Sequence, residues 1–312
     1  MKKHKKILII KTGFSEFLDR GVSTVVSLGD VLFCTTLLHL YKDDEVTWVV
    51  SAAAKELLEN NPCIKRLVVF GSKALGPIMR KHYDIFINLE KDIGICAFLQ
   101  DVKAKKKYGF YFNDQSQDIA VYRSPTRLLL AGQENHHKMT GNTAQILCRA
   151  VGRSWTGRGP ILRPRKRSKE IYDIGLNYAV GSKWPTKGWP MKNWKDLECR
   201  LKKDFKISWQ QGHKNLHQYI RWIDSCRMIA TSDSLGQIIA QALGKPAVTL
   251  FGPTNHRRMA GVPGTHIILS PSTCPCRPCF LPVCQYKKPC MEEILPKTVE
   301  QYCRRLYKEL YG

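Results

Sequence analysis

Short apolar runs rich in β-branched residues alternate along this chain with longer stretches in which apolar positions recur at helical spacing. In the first half, "ILIIK" (7–11), "VTWVV" (46–50), "RLVVF" (66–70) and "DIFINL" (84–89) predict strands. Between them, "DVLFCTTLLHLYK", "SAAAKELLENN" and "KALGPIMRKH" predict helices with one apolar face. Such alternation reads as right-handed βαβ units on a parallel sheet. A basic stretch around Pro164, "RPRKRSKE" (163–170), interrupts the pattern as an exposed linker would. Beyond it the alternation resumes, with "IYDIGLNYAV", "FKISWQ", "RMIATS", "PAVTLFG" and "HIILS" as strands. "NWKDLECRLKKDF", "LHQYIRWIDSC" and "SLGQIIAQAL" are the helices between them.

The pattern predicts an α/β protein of two Rossmann-like domains facing a cleft, at residues 1–165 and 166–295. A last amphipathic helix, 296–312, is expected to pack back on the N-terminal domain. Ligands of doubly wound sheets gather at the carboxyl ends of the strands, so function is sought in the loops that follow strands.

Three such loops carry candidate chemistry. Lys11 ends the first strand, and a long loop leads to a helix predicted to open at Asp30, behind Gly29. The positive end of that helix favours an ionised carboxylate, which reads either as an ordinary N-cap or as a working group. The second loop, "GSKWPTKGWP" (181–190), holds Ser182, Lys183 and Lys187 among stiff Trp and Pro residues, as a restricted anion site or a solvated turn. In the third, Asp233 and Ser234 precede a helix predicted to start near Leu235. Unpaired N–H groups at such a start suit a phosphate, and Gly236 permits close approach.

Composition narrows the function. No apolar run approaches the roughly 18 residues of a membrane span, and "MKKHKK" is followed only by "ILII", too short for a signal-peptide core. A cytoplasmic protein is therefore expected. Lys and Arg number 50 against 26 acidic residues, a net charge of +24, which points to a polyanionic partner or an anionic membrane surface, or else to a solvated basic face. No homeodomain, RRM or finger spacing accompanies the charge, so nucleic acid is not the expected partner. Of 12 cysteines, five crowd into residues 274–290. Cys276, Cys279, Cys284 and Cys290 would supply four thiolates to zinc, but their spacing is not a paired C-x2-C ribbon. A loop of reduced thiols, with no metal and no cofactor, is the expectation.

Together the three loops resemble those of glycosyltransferase family 9, the heptosyltransferases that build the inner core of bacterial lipopolysaccharide. "SLGDVLFCTTLLHL" resembles the family's opening turn. "NYAVGSKWPTKGWPMKNW", "SDSLGQIIAQALGKPAVTLFGPT" and "CRPCFLPVCQYKKPCMEEILPKTV" are similar to its later blocks, in the same order. The resemblance implies a glycosyltransferase B fold, with the acceptor on the N-terminal domain and the nucleotide sugar on the C-terminal one. It implies an inverting, metal-independent transfer of heptose from ADP-heptose to a lipopolysaccharide core acceptor, either lipid A with Kdo or an inner-core heptose. Asp30 then matches the catalytic base, while Ser182, Lys183, Lys187, Asp233, Ser234, Leu235, Gly236 and Gln237 match the donor side. Lys11, Ser27 and Gly29 are candidates on the acceptor side. An anionic lipopolysaccharide precursor also gives the basic charge a partner, with the enzyme peripheral on the cytoplasmic face of the inner membrane.

Three departures stand against the family pattern. Ile238 replaces a histidine of the diphosphate turn, "WQQGHKN" (209–215) lacks the acidic residue that often holds the donor ribose, and 12–26 is an insertion, read as a lid, an acceptor wall or simply a disordered loop. These keep open a transferase that uses another nucleotide sugar for a different surface glycan. From another class, a non-catalytic sugar-nucleotide or nucleic-acid binding protein is the alternative.

Overall fold

The computed structural model describes residues 4–17, 24–130, 141–271 and 274–312. Part of the inserted segment, 18–23, lies outside the described residues. The chain divides within its basic linker into two units, Met1–Arg163 and Pro164–Gly312.

The first unit contains strands β1 (Lys6–Ile10), β2 (Glu45–Val50), β3 (Arg66–Val69), β4 (His82–Asn88), β5 (Lys103–Asn113) and β6 (Asp118–Val121). Its helices are α1 (Leu28–Cys34), α2 (Ser72–Met79), α3 (Ile93–Phe98), α4 (Arg127–Leu130) and α5 (Thr143–Ala150). The sheet runs β3-β2-β1-β4-β5-β6 and is parallel except for the β5–β6 hairpin. Ile7, Leu8, Ile9 and Ile10 are all fully buried, as a strand covered on both faces requires. Leu8 and Ile10 join Val49, Phe86, Leu75 and Ile78 in one core cluster. Each such side chain contributes about 1.5–3 kcal/mol by leaving water. The chain moves from β1 to β2 and β3 on one side, then returns to β4 on the other, so the topological switch lies between β1 and β4.

Two local differences from the sequence reading have physical causes. The helix expected after Asp30 narrows to a 3-10 turn at Thr35–Leu40, where Thr35 Oγ1 donates to the Leu32 carbonyl at 2.6 Å. Strand β5 was hidden by Lys103, Lys105, Lys106 and Lys107. Those lysines lie where β5 pairs only with β4, and charge blunts that open edge.

The second unit contains β7 (Tyr172–Asn177), β8 (Ile207–Trp209), β9 (Cys226–Ser232), β10 (Ala247–Phe251) and β11 (Thr265–Leu269). Its helices are α6 (Met191–Leu201), α7 (Leu216–Asp224), α8 (Leu235–Leu243) and α9 (Pro296–Tyr311). All five strands are parallel in the order β11-β10-β9-β7-β8, with the switch between β7 and β9. The last helix, α9, sets Val299, Cys303 and Leu306 into the second unit's own core beside Leu176, Trp194 and Val248. Its polar side is fastened there too, since Arg304 donates to the Arg200 carbonyl (3.0 Å) and the Tyr307 hydroxyl to Asp173 (2.6 Å).

Candidate functional site

At the β1/β4 switch, the loop leaving β1 wraps around one carboxylate. Glu90 is fully buried and accepts from the N–H groups of Thr12 (2.8 Å), Gly13 (2.9 Å) and Ser15 (3.1 Å) and from the Ser15 hydroxyl (2.7 Å). Lys11 Nζ lies 3.4 Å from the same carboxylate and donates to the Ser15 carbonyl at 2.6 Å. Burial would pull Lys11 down, but Glu90, helped by the fields of Cys34 and Asp30, outweighs it and holds the ammonium above its ordinary value. Gly13 is obligatory in this turn, with φ +98 and no room for a Cβ, which would stand 2.7 Å from Val26.

The loop then delivers the Phe17 N–H to Asp30 Oδ2 at 2.8 Å. Asp30 is not the N-cap, which is Ser27; it is the third residue of α1, half-buried in the first turn, where the dipole favours its charge. Ser27 donates its N–H to the Gly13 carbonyl (2.8 Å), and Gly29 lies inside α1. Lys11 is fully buried, with its cation against Glu90 and the carbonyls of Ser15 and Leu89.

In the second unit, the loops after β7 and β9 bring Lys187 and Asp233 together. Lys187 Nζ stands 2.9 Å from Asp233 Oδ2, and the Thr254 hydroxyl donates to the same oxygen at 2.8 Å. Burial disfavours the Asp233 charge, but Lys187, the Thr254 hydroxyl and the field of Arg258 outweigh it and hold the carboxyl below its ordinary value. Ser234 is the N-cap of α8, yet its hydroxyl makes no cap bond and instead accepts from Asn177 Nδ2 at 3.0 Å. Tyr219 donates to Asn177 Oδ1 (2.6 Å), so that amide is clamped under the helix start.

Gly236 is the second residue of α8. A Cβ there would meet Asn177 Nδ2 at 2.4 Å and the Tyr219 hydroxyl at 2.5 Å, so the glycine serves helix-to-strand packing. The N–H of Gln237 is committed to the Ser234 carbonyl (3.2 Å), while its fully buried side-chain amide has no hydrogen-bond partner among the described residues. Leu235 opens α8 as predicted. Ser182 is exposed at the tip of its loop, and Lys183 Nζ lies 5.9 Å from the Trp184 ring centre.

Cys274, Cys276, Cys279, Cys284 and Cys290 line one small pocket with Thr186, Arg277 and Lys288. Among the described residues, no group of three His, Cys, Asp or Glu side chains is arranged to hold a metal ion.

Sequence reasoning missed Glu90, Asn177, Tyr219 and Thr254. The available signal was a charged pair, Glu90 and Lys91, immediately after an apolar strand, where a charge inside a sheet demands a partner. No helix among the described residues is long and apolar enough to cross a membrane.

Residues 200–289 match the family model of glycosyltransferase family 9 (heptosyltransferase), which bears out the resemblance over the third loop and the cysteine stretch. No curated protein matches the chain. Among solved structures, the chain is similar to a glycosyl transferase family 9 protein of Veillonella parvula DSM 2008, with 16% identity, 98% of this chain and 97% of that one covered, and TM-score 0.68. It is also similar to E. coli ADP-heptose lipopolysaccharide heptosyltransferase II (15%, 98% and 100% covered, TM-score 0.69). A third is E. coli heptosyltransferase WaaC with ADP (14%, 96% and 99%, TM-score 0.64). At such identities the likeness carries the fold, α/β of the glycosyltransferase B type.

Proposed function

We propose that this protein is an inverting glycosyltransferase that moves a heptose from ADP-heptose to a lipopolysaccharide core acceptor, with Asp30 as general base. The observation that carries the reading is the pairing of Lys187 with Asp233 at the switch of the second sheet, beside a helix start that its own serine leaves uncapped. A positioned cation and outward N–H groups are what a departing nucleotide diphosphate needs as its charge grows. Asp233 and Thr254 position the lysine; they are not themselves donors of charge stabilisation.

In the first unit, a half-buried carboxylate oriented by the Phe17 N–H suits proton removal from a sugar hydroxyl late in its attack. The Glu90 cluster keeps that N–H in place. Asp30 attack on the anomeric carbon is not required: direct displacement by the acceptor inverts the centre. The exposed lysines of β5, within a chain of net charge +24, support attraction to an anionic lipid surface, each contributing about 1 kcal/mol near it.

A second reading keeps the chemistry and changes the donor. In the loop after β8, Gln210 accepts from the Ala179 N–H (3.0 Å) and His213 meets the Tyr178 hydroxyl (3.2 Å), with no carboxylate for a ribose. That favours testing other nucleotide sugars beside ADP-heptose.

The deciding experiment incubates the protein and its Asp30→Asn variant with ADP-heptose and a truncated lipopolysaccharide acceptor, following ADP release and acceptor mass. Transfer by the wild type alone supports donor, reaction and base together. Transfer only with a different nucleotide sugar selects the second reading.

A further inference from the structure

The proposed transfer leaves the cysteine pocket of the second unit unused. Cys34, Cys96, Cys148, Cys226 and Cys303 are buried singly, as small hydrophobes are. By contrast Cys274, Cys276, Cys279, Cys284 and Cys290 are all outside any disulfide, all partly accessible, and all line one pocket. Two of them touch: Cys274 Sγ and Cys276 Sγ are 3.0 Å apart. Arg277 and Lys288 line the same pocket, and electropositive, partly exposed surroundings favour the reactive thiolate over the thiol.

We propose that Cys274 and Cys276 form a redox-active pair, a modification site whose oxidising substrate is an anionic low-molecular-weight disulfide of the glutathione type. Cys274 attacks as thiolate: its sulfur bonds to one sulfur of the substrate, the substrate's S–S bond breaks, and the other half leaves as a thiolate. The Cys276 thiol then attacks Cys274 Sγ and expels the second half, which takes the Cys276 proton. Two cysteines are oxidised to one disulfide, and one small disulfide is reduced to two thiols. The basic side chains serve both ends of this exchange, by favouring the attacking thiolate and by attracting the anionic substrate.

Placement makes the pair more than a surface accident. The Phe280 N–H donates to the Pro253 carbonyl (3.0 Å), and the Thr186 hydroxyl donates to the Leu281 carbonyl (2.6 Å). The cysteine loop is thereby tied to the segments that carry Thr254 and Lys187. The redox chemistry itself stands apart from the donor reading.

The test treats the full-length reduced protein with oxidised glutathione at neutral pH without other oxidants, maps the products by peptide mass spectrometry, and measures metal on the freshly isolated protein. The wild type should close a Cys274–Cys276 bond at least about tenfold faster than the exposed Cys199 is glutathionylated. Cys276→Ser should stop at a glutathione adduct on Cys274, Cys274→Ser should give neither product, and Cys290→Ser should behave as the wild type. Preferential reaction at Cys279, Cys284 or Cys290 overturns the proposal. So does reactivity no greater than that of Cys199, or stoichiometric metal that must be stripped before any thiol reacts.

Discussion

The backbone N–H of Phe17 donates to Asp30 Oδ2 across 2.8 Å, so the loop leaving the first strand and the helix following it are joined at one carboxylate oxygen. An amide oxygen accepts the same bond. Asp30→Asn should therefore keep the fold, with stability changed by less than about 1 kcal/mol. Removing the base should lower transfer about a hundredfold to ten-thousandfold while leaving ADP affinity unchanged. Thermal unfolding, ADP titration and single-turnover transfer check the three parts. Undiminished transfer by the variant would remove Asp30 from the mechanism.

Glu90 predicts the opposite split. Its substitution by Gln strands the buried Lys11 cation, a loss of about 3–5 kcal/mol by urea unfolding. Lys11→Met in the same chain should recover a substantial part, because no unpaired charge then remains inside. A Glu90→Gln variant as stable as wild type would contradict the buried pair.

Asp233 links stability to acid. Its carboxyl lies below the ordinary value in the folded chain, so the unfolded chain takes up the proton first as pH falls. The stabilisation is complete above the ordinary carboxylate pKa, about 4, and is lost as pH drops through the depressed folded value. The stability gap between wild type and Asp233→Asn should thus be flat near neutrality and shrink below about pH 4. A gap that widened on acidification would reverse the sign of the argument.

Lys187→Ala should weaken ADP binding roughly tenfold to a hundredfold, the scale of one charge-assisted contact to phosphate. Isothermal titration measures it directly. Unchanged affinity would move the diphosphate away from this loop.

Gly236→Ala should cost about 1–3 kcal/mol, since the new methyl presses on Asn177 and the Tyr219 hydroxyl. Tyr219→Phe deletes one of the three obstructing atoms, so the double variant should be less destabilised than the sum of the singles. Strict additivity in a double-mutant cycle would argue that the crowding is relieved elsewhere.

How far the chain could be read in advance depended on distance along it. Strands such as β1 declared themselves through four consecutive fully buried aliphatics, and Lys187 and Asp233 through their positions directly after predicted strands. Glu90 was opaque because its meaning lies in β4 settling beside β1, with 75 residues separating Glu90 from Ser15. The packing around Gly236 was opaque for the same reason: its close neighbour is Asn177 on another strand, which no local pattern announces. Strand β5 was lost to its lysines, whose charge outweighed the alternation beneath it.

The seating of α9 has a consequence for synthesis. Val299, Cys303 and Leu306 are translated long after Ile174, yet they complete the core that it begins. Strands β1 to β6 have been made by Val121, long before that. The first unit can therefore finish on the ribosome, whereas the second must wait with an apolar sheet face open until α9 emerges. That waiting interval, rather than the finished protein, is where a chaperone or a premature stop would have its greatest effect.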